Sequence, residues 1–417
     1  MADLPPAMPD DMLLERVRNL DVNSFAYMKR KYSQMSLAEA GKELPQLGTL
    51  TAFNLPTHPQ LQSRLLSLPQ ELRSMLYDFV FSDYDDPPEE SESHNQYPLD
   101  SLFRRPGYSG PPRISTMLTQ TCQSIYNETW WMPFQNFRHT FYKCSSEASK
   151  PYETHLSRIW AALLPITQRR LAVPAAWHNN ELRRVQVFIS AAGLEEACCL
   201  SDMMDIPSFN PRHLTITVRH VDQWRWQQDQ FLRISGRGLF RDTRYPNSLV
   251  ELDLQFESLL RKQVQVDHVA SEVVRSCYFR THDERLLWPA RDRTSTMIWQ
   301  GSSTWNDVRW VGYESNEEPG LLTYYVRTIP FRPASLDDAR VYDDSRLRDQ
   351  IPHHIAYNGG LVQNGLKRSF TRSELDSINV DRNTPKDAIL WKWARKQERE
   401  RSSAAVMMLA MLSAGGS

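Results

Sequence analysis

A histidine beside two carboxylates is the group in this sequence with the clearest potential for chemistry. His282 is followed directly by Asp283 and Glu284, so a base that titrates near neutrality stands next to two acids. Such groups perform general acid–base catalysis when they converge on one reacting atom. Because neighbouring side chains on a strand or helix point in different directions, these three need not converge, and we do not expect a catalytic site here.

Metal ligation is the second chemistry that the residue types allow. His353 and His354 are adjacent, but no cysteine, histidine or carboxylate stands near them at the spacing of a zinc site. The five cysteines include no C-x-x-C pair, which is typical of separate thiols in a reducing, intracellular compartment. They are Cys122, Cys144, Cys198, Cys199 and Cys277. We therefore expect no cofactor and no stoichiometric zinc in the purified protein.

The usual signatures of nucleotide and hydrolase sites do not occur in the sequence. It has no glycine-rich phosphate loop, no G-x-S-x-G elbow and no H-E-x-x-H helix. Trp224 and Trp226 flank Arg225, a combination found at binding hot spots. Large aromatic side chains more often pack, so we favour packing of these tryptophans over an edge of the structure.

Basic side chains gather towards the C-terminal end, together with Glu398 and Glu400. The interleaved acids favour ion pairs on a solvated helix face over contact with nucleic acid. A net charge of −1 gives no general attraction to nucleic acid or to an acidic membrane. The longest apolar run, 404–412, has nine residues and is too short to span a bilayer. We therefore expect no membrane partner. The basic residues are Lys392, Arg395, Lys396, Arg399 and Arg401.

Two helices should precede the main body of the protein. Apolar residues at 68, 72, 75, 76, 79 and 80 keep a helical period, and Ser67 with Gln70 fits a capping box. A second helix is predicted over 115–132, ended by Pro133. The acidic, proline-rich residues 82–112 lie between the helices and lack core formers, so they predict a mobile insertion.

The body is expected to be α/β, with strands and helices alternating along the chain. Apolar residues alternate with polar ones over 185–189, 214–218 and 252–256, which predicts half-buried strands joined by helices in parallel crossovers. The predicted helices cover 194–204, 221–234 and 259–276, and further strands cover 296–300 and 321–329. A last helix should begin near Thr384 and run towards Leu412. The resulting domains are an extension (1–64), a helical region (65–145), an α/β body (150–333) and a loop-rich segment with the C-terminal helix (334–417).

The helical region resembles a degenerate F-box found in a group of filamentous-fungal F-box-like proteins. The sequence LPQEL at 68–72, followed by MLYDFV at 75–80, is similar to the opening helix of that group. TCQSIYNE at 121–128 is similar to its second helix, and 213–226 more loosely to a strand-plus-tryptophan signature. The resemblance covers roughly 65–145, and more loosely 180–310. An ordinary F-box is contiguous, whereas 82–112 separates the two helices here.

The resemblance implies a non-enzymatic interaction protein. Its apolar helix face would dock on the adaptor of a cullin-type ubiquitin ligase, and the body would recognise an unknown protein substrate. Two alternatives remain: a scaffold in which the same helices are core, or an enzyme with its site at the strand ends. The width of the apolar stripe favours burial of Leu72 inside the chain. The face that would dock consists of Leu68, Pro69, Leu72, Met75 and Leu76.

Overall fold

The chain is described from a computed structural model. The described residues are 62–85, 104–108, 110, 112–143, 181–195, 198–205, 209–223, 226, 230–305, 307–333, 351–357 and 369–414. Nearly all of the predicted extension 1–64, the centre of the predicted insertion 82–112, Cys144 and Trp224 lie outside these residues.

A mixed sheet forms the centre of the described structure and confirms the α/β class. Its strands pair in the order β1-β2-β3-β5-β11-β7-β6, and β8 pairs with β11. Strands β1, β2, β3 and β5 are parallel, whereas β11 runs antiparallel to β5, β7 and β8. The strands are β1 Arg138–Lys143, β2 Glu181–Ile189, β3 Asn210–Val218, β5 Glu251–Leu259, β6 Phe279–Arg280, β7 Leu286–Pro289, β8 Ser295–Ser302 and β11 Leu321–Pro333.

The helices and the smaller strands surround this sheet. Strand β4 (Arg233–Ser235) pairs with β12 (His354–Ala356), and β10 (Val308–Arg309) pairs with both β9 (Thr304–Trp305) and β13 (Phe370–Thr371). The helices are α1 Gln70–Val80, α2 Gln123–Thr129, α3 Met132–Asn136, α4 Ala191–Glu195, α5 Cys198–Met204, α6 Gln263–Ser276, α7 Arg372–Ser377 and α8 Lys386–Ala414. None of the helices in the described ranges is long and apolar enough to cross a membrane.

One face of the sheet is apolar and completely covered. Val187, Ile216 and Leu254 come from three neighbouring strands, and each is fully buried. Helix α6 packs against β5 and β11, and its Val269 and Val273 are also fully buried. The alternating apolar residues of the strands and the helically spaced apolar residues of α6 therefore pack in one core, as the sequence predicts.

The other face of the same strands is polar and joined by side-chain hydrogen bonds. The Gln186 amide donates to the Thr217 hydroxyl (3.2 Å), and that hydroxyl donates to Gln255 Oε1 (2.9 Å). The amide of Gln255 then donates to Thr328 (3.2 Å). The ladder crosses β2, β3, β5 and β11, so each buried polar group on it meets a partner.

Several predicted elements differ from those observed. The predicted helix over 221–234 is wrong: a 3-10 turn, His220–Asp222, is followed by strand β4. The single helix over 115–132 is also wrong, because a 3-10 turn, α2 and α3 replace it. Pro133 lies in the first turn of α3 rather than at a helix end, since a missing N–H costs nothing there. Pro69, not Ser67, is the N-cap of α1, and its side chain makes no cap bond.

The ends of the predicted mobile insertion are ordered. Tyr84 and Arg113 form an antiparallel bridge, with each N–H donating to the other carbonyl at 2.9 Å. The Arg105 side chain is fully buried, pairs with Asp85 and stacks over the ring of Tyr108 at 4.0 Å. Residues 82–85 and 104–108 of the predicted mobile segment 82–112 thus make specific contacts, and residues 86–103 lie outside the described structure.

The C-terminal region is built around a small core of its own. Ile389 of α8, Phe370 of β13 and Val311 are fully buried together. Beside them, the guanidinium of Arg309 donates to both carboxylate oxygens of Glu314 at 2.7 Å, and also to the carbonyls of the 381–384 turn. The pair fixes the turn from which α8 starts.

Candidate functional site

Helix α1 is held to the protein by one polar face. The Arg73 guanidinium donates to both oxygens of Glu128 on α2, at 3.1 and 3.0 Å, and to the carbonyl of Leu68 at 2.6 Å. Tyr77, one turn further along α1, donates to the same carboxylate at 2.9 Å and is buried. Burial raises the pKa of Tyr77 to about 12, so its hydroxyl remains a donor. Phe81 continues this face and is fully buried.

The far end of α1 is tied to the sheet by carboxylates. Asp78 pairs with Arg183 of β2 at 2.8 Å. The carboxylate of Asp83, just beyond the helix, pairs with Arg138 of β1 at 3.4 Å and with Arg184 of β2 at 2.9 Å. Because both ends are fixed to other elements, the direction of α1 relative to the sheet is set.

The apolar face of α1 points away from these contacts and is exposed. Leu72 is 47% exposed, Met75 69% and Leu76 43%. Pro69 is exposed as well, and Leu68 is half-buried. The expectation that Leu72 is buried inside the chain is therefore wrong. Because Arg73 and Tyr77 both bond to Glu128, their side of the helix faces the protein. The neighbouring apolar stripe therefore faces outward.

The exposed face extends beyond the residues chosen from the sequence. Phe79 is 79% exposed and Val80 is also exposed. Phe79 follows Met75 by four residues and therefore lies on the same side of the helix. The period of the apolar residues could have identified it, since 79 and 80 belong to the same stripe. We name the residues Leu72, Met75, Leu76, Phe79 and Val80 the α1 face.

A group of buried charged and aromatic side chains lies where the parallel strands end, the edge at which α/β proteins commonly bind ligands. Glu257, near the end of β5, is buried, and its Oε1 accepts the backbone N–H of His220 at 3.2 Å. The amide of Gln223 donates to the Glu257 carbonyl at 2.5 Å. Burial raises the pKa of Glu257 to about 7, although the His220 N–H acts in the opposite direction.

The neighbours of Glu257 are charged or aromatic. The Arg219 guanidinium forms a bidentate ion pair with the carboxylate of Asp222, with N–O distances of 2.6 and 3.1 Å. It also lies over the Phe188 ring, 4.9 Å from the centroid. The His220 ring contacts the Trp226 ring, with centroids 5.5 Å apart. Further rings pack around these two: Trp305, Trp310 and Tyr324. Trp226 thus belongs to a packed aromatic cluster, which agrees with the packing role expected for it.

The other end of β3 and β5 carries a second titratable group. His213 Nδ1 lies 3.4 Å from Glu251, and Arg332 of β11 reaches the same carboxylate at 2.6 Å. Burial lowers the pKa of His213. It raises the pKa of Asp253 to about 6, with the nearby charge of Glu251 adding to the effect. Neither this group nor Glu257 was expected from the sequence. Their acids Glu251, Asp253 and Glu257 occupy the polar positions of the alternating pattern in β5, whereas His213 belongs to β3.

The histidine runs singled out in the sequence do not assemble into sites. Thr281 donates to Asp283, whereas Glu284 pairs with Arg280 at 2.7 Å. His282 points elsewhere, 3.4 Å from the carbonyl of Met204. His354 contacts Arg233 across the β4–β12 pair at 3.0 Å. Within the described ranges, no three or more histidine, cysteine or acidic side chains are grouped to hold a metal ion. Burial raises the pKa of the Cys277 thiol to about 12, which makes it inert.

No protein-family model, curated protein or solved structure matches this chain.

Proposed function

We propose that the chain is a non-enzymatic interaction protein that docks on the adaptor of a cullin-type ubiquitin ligase. The contact is made by the F-box-like surface named from the sequence, enlarged by Phe79 and Val80. The observation that carries the proposal is the orientation of α1, whose apolar stripe is exposed while its polar face is bonded to α2 and the sheet. The surface comprises Leu68, Pro69, Leu72, Met75, Leu76, Phe79 and Val80.

The physical form of the α1 face suits a helix that is buried by a partner. Residues at 72, 75, 76 and 79 follow the i, i+3, i+4, i+7 spacing of helical anchors. Each large apolar side chain contributes about 1.5–3 kcal/mol when it is fully buried. Because Glu128 and Arg184 already fix α1 in place, little ordering is needed on binding. The exposed fraction of Leu72 also argues against a scaffold in which this stripe is core.

Capture of the adaptor by the full-length chain tests the proposal. Leu72→Ala with Phe79→Ala should remove most adaptor binding, as expected for truncated anchors. The melting temperature should change little, because exposed substitutions cost within about 0.5 kcal/mol. Val264→Ala, at an apolar position on α6 whose exposed fraction lies between those of Leu72 and Phe79, is the matched control and should bind normally. A double variant that binds the adaptor like the unmodified chain would refute the docking role of the α1 face.

An enzymatic site at the strand ends is a second candidate, favoured by Glu257. A buried carboxyl with a pKa of about 7 is suited to proton transfer at neutral pH. The packed rings of Trp226, Trp305 and Trp310 stand beside it, however, and favour a structural cluster. Glu257→Gln should leave adaptor capture unchanged. Loss of a measurable hydrolase or isomerase activity on this change would support the enzyme.

A further inference from the structure

Helix α8 is attached to the protein by its first part alone, as far as the described residues show. Ile389 is fully buried, and the Trp393 ring meets Phe370 edge-on, with centroids 5.3 Å apart. Lys396 reaches the hydroxyl of Ser377 at 2.7 Å. From Glu398 to Met408, every side chain is exposed, although the helix continues to Ala414. As far as Met408, the outer half of α8 is therefore available to another surface.

The outer half of α8 ends in an unbroken apolar stretch, residues 404–412, which we name the apolar tip. Nine successive residues at 100° each cover the whole circumference of a helix. Val406, Met407 and Met408, which point in three directions, are each about two-thirds exposed. A partner helix or a protein groove buries one stripe, whereas a helix that is apolar all round needs an apolar medium on every side. The tip therefore fits lipid better than a second protein chain.

Length and charge agree with this choice. Nine residues rise about 14 Å, close to half of the roughly 30 Å hydrocarbon thickness of a bilayer. The preceding turns carry the cations Arg395, Lys396, Arg399 and Arg401 against Glu398 and Glu400, a net charge of +2. Arg399 and Arg401 are exposed and lie within two turns of the tip. Cations beside an inserted segment are attracted to anionic headgroups.

We propose that the apolar tip of α8 inserts into one leaflet of an anionic membrane, with the adjoining cations against the headgroups. This proposal departs from the expectation of no membrane partner. The net charge of −1 over the whole chain does not show the local charge of +2, and a run of nine residues that is too short to span a bilayer is long enough to enter one leaflet.

Flotation of the full-length chain with lipid vesicles tests the inference. The chain should float with phosphatidylcholine vesicles that contain about one third phosphatidylserine, and much less with phosphatidylcholine alone. Met407→Asp with Met408→Asp should lower the bound fraction by more than about tenfold, because two apolar side chains lose their burial. Arg399→Glu with Arg401→Glu should reduce binding to the level seen without phosphatidylserine.

A matched control separates the tip from other exposed apolar residues. Val264→Asp on α6, at a position as exposed as Met407, should float like the unmodified chain. All variants should keep the circular dichroism melting curve, since the changed side chains are exposed. Failure of the unmodified chain to float would overturn the inference. So would concentration-dependent self-association that the Met407 and Met408 changes abolish, because the tip would then contact a second copy.

Discussion

At the scale of single residues, Glu128 joins the helices α1 and α2. It belongs to the second of them and accepts hydrogen bonds from Arg73 and Tyr77 of the first. A bidentate guanidinium–carboxylate contact is directional as well as strong. It therefore determines which side of α1 faces the protein and, as a consequence, which side is exposed.

Replacing Arg73 should lower stability more than replacing an exposed arginine. Arg73→Met removes the bonds to Glu128 and leaves a partly buried carboxylate with fewer donors. We expect a loss of about 1–3 kcal/mol in the free energy of unfolding, given the partial exposure of the pair. Arg275→Met, which breaks the exposed pair with Glu272, is the control and should cost less than about 1 kcal/mol. Equal melting temperatures for the two variants would contradict this role.

The buried carboxyl of Glu257 should make stability depend on pH. Its folded pKa of about 7 lies above the ordinary value of 4.5, so the folded state holds this proton where the unfolded state has lost it. Stability is then lost as the pH rises from about 4.5 to 7. Glu257→Gln should remove this part of the pH dependence. The corresponding change in the free energy of unfolding is at most roughly 3 kcal/mol.

Chemical unfolding of both proteins at pH 5 and pH 8 measures this effect. The variant should gain stability relative to the unmodified chain as the pH rises. Asp253, whose folded pKa is about 6, titrates in the same range in both proteins, so the difference between them isolates Glu257. A constant difference between pH 5 and pH 8 would show that Glu257 is already ionised in the folded state.

At the scale of elements, α6 shows how one helix can be both core and surface. Val266, Val269 and Val273 are fully buried, whereas Val264 on the same helix is exposed. The buried side chains follow the helical period and face β5 and β11. The β-branched residues of α6 are thus explained by packing rather than by their helix propensity.

Two valine substitutions on α6 should therefore differ sharply in effect. Val269→Ala removes buried methyl groups and should cost about 1.5–3 kcal/mol, because the neighbouring strands cannot close the gap. Val264→Ala changes an exposed position and should stay within about 0.5 kcal/mol. Denaturant midpoints with unchanged slopes would measure both. Similar losses for the two variants would mean that α6 packs by a different face.

At the scale of the whole molecule, residues on both sides of 86–103 belong to one folded unit. The Tyr84–Arg113 bridge and the buried Arg105, paired with Asp85, lie close to its two ends. The acidic, proline-rich composition of the segment still marks it as the preferred site of proteolysis. Cleavage there should leave the two fragments in contact.

Limited proteolysis followed by gel filtration examines that expectation. The first cut should fall within 86–103, and the fragments should elute together at the volume of the intact chain. Arg105→Ala should weaken the ordered end of the segment and allow further cuts between 104 and 113. Separation of the fragments after the first cut, or a first cut inside the sheet, would contradict it.

The sequence by itself determined the local periods of this protein. Alternation over 185–189, 214–218 and 252–256 was enough to place β2, β3 and β5 and to predict their parallel order, because half-buried strands need that pattern. The helix predicted over 259–276 is observed as well, but it begins at Gln263, because Leu259 ends strand β5 and a 3-10 turn, Leu260–Lys262, follows. The helix predicted over 221–234 is not observed in the described residues, because Trp226 packs in an aromatic cluster and Ile234 lies in strand β4, and neither follows a helical period.

Only the tertiary structure decided which side of each element is exposed. An apolar stripe on α1 fits a core and a docking surface equally well. It faces outward because Tyr77 and Arg73 bond to Glu128, which lies 51 and 55 residues away from them in the sequence. The strand-end group around Glu257 likewise depends on residues that meet only when β3 and β5 pair. Local patterns are set by neighbouring residues, whereas orientation and burial are set by side chains that are distant in the chain.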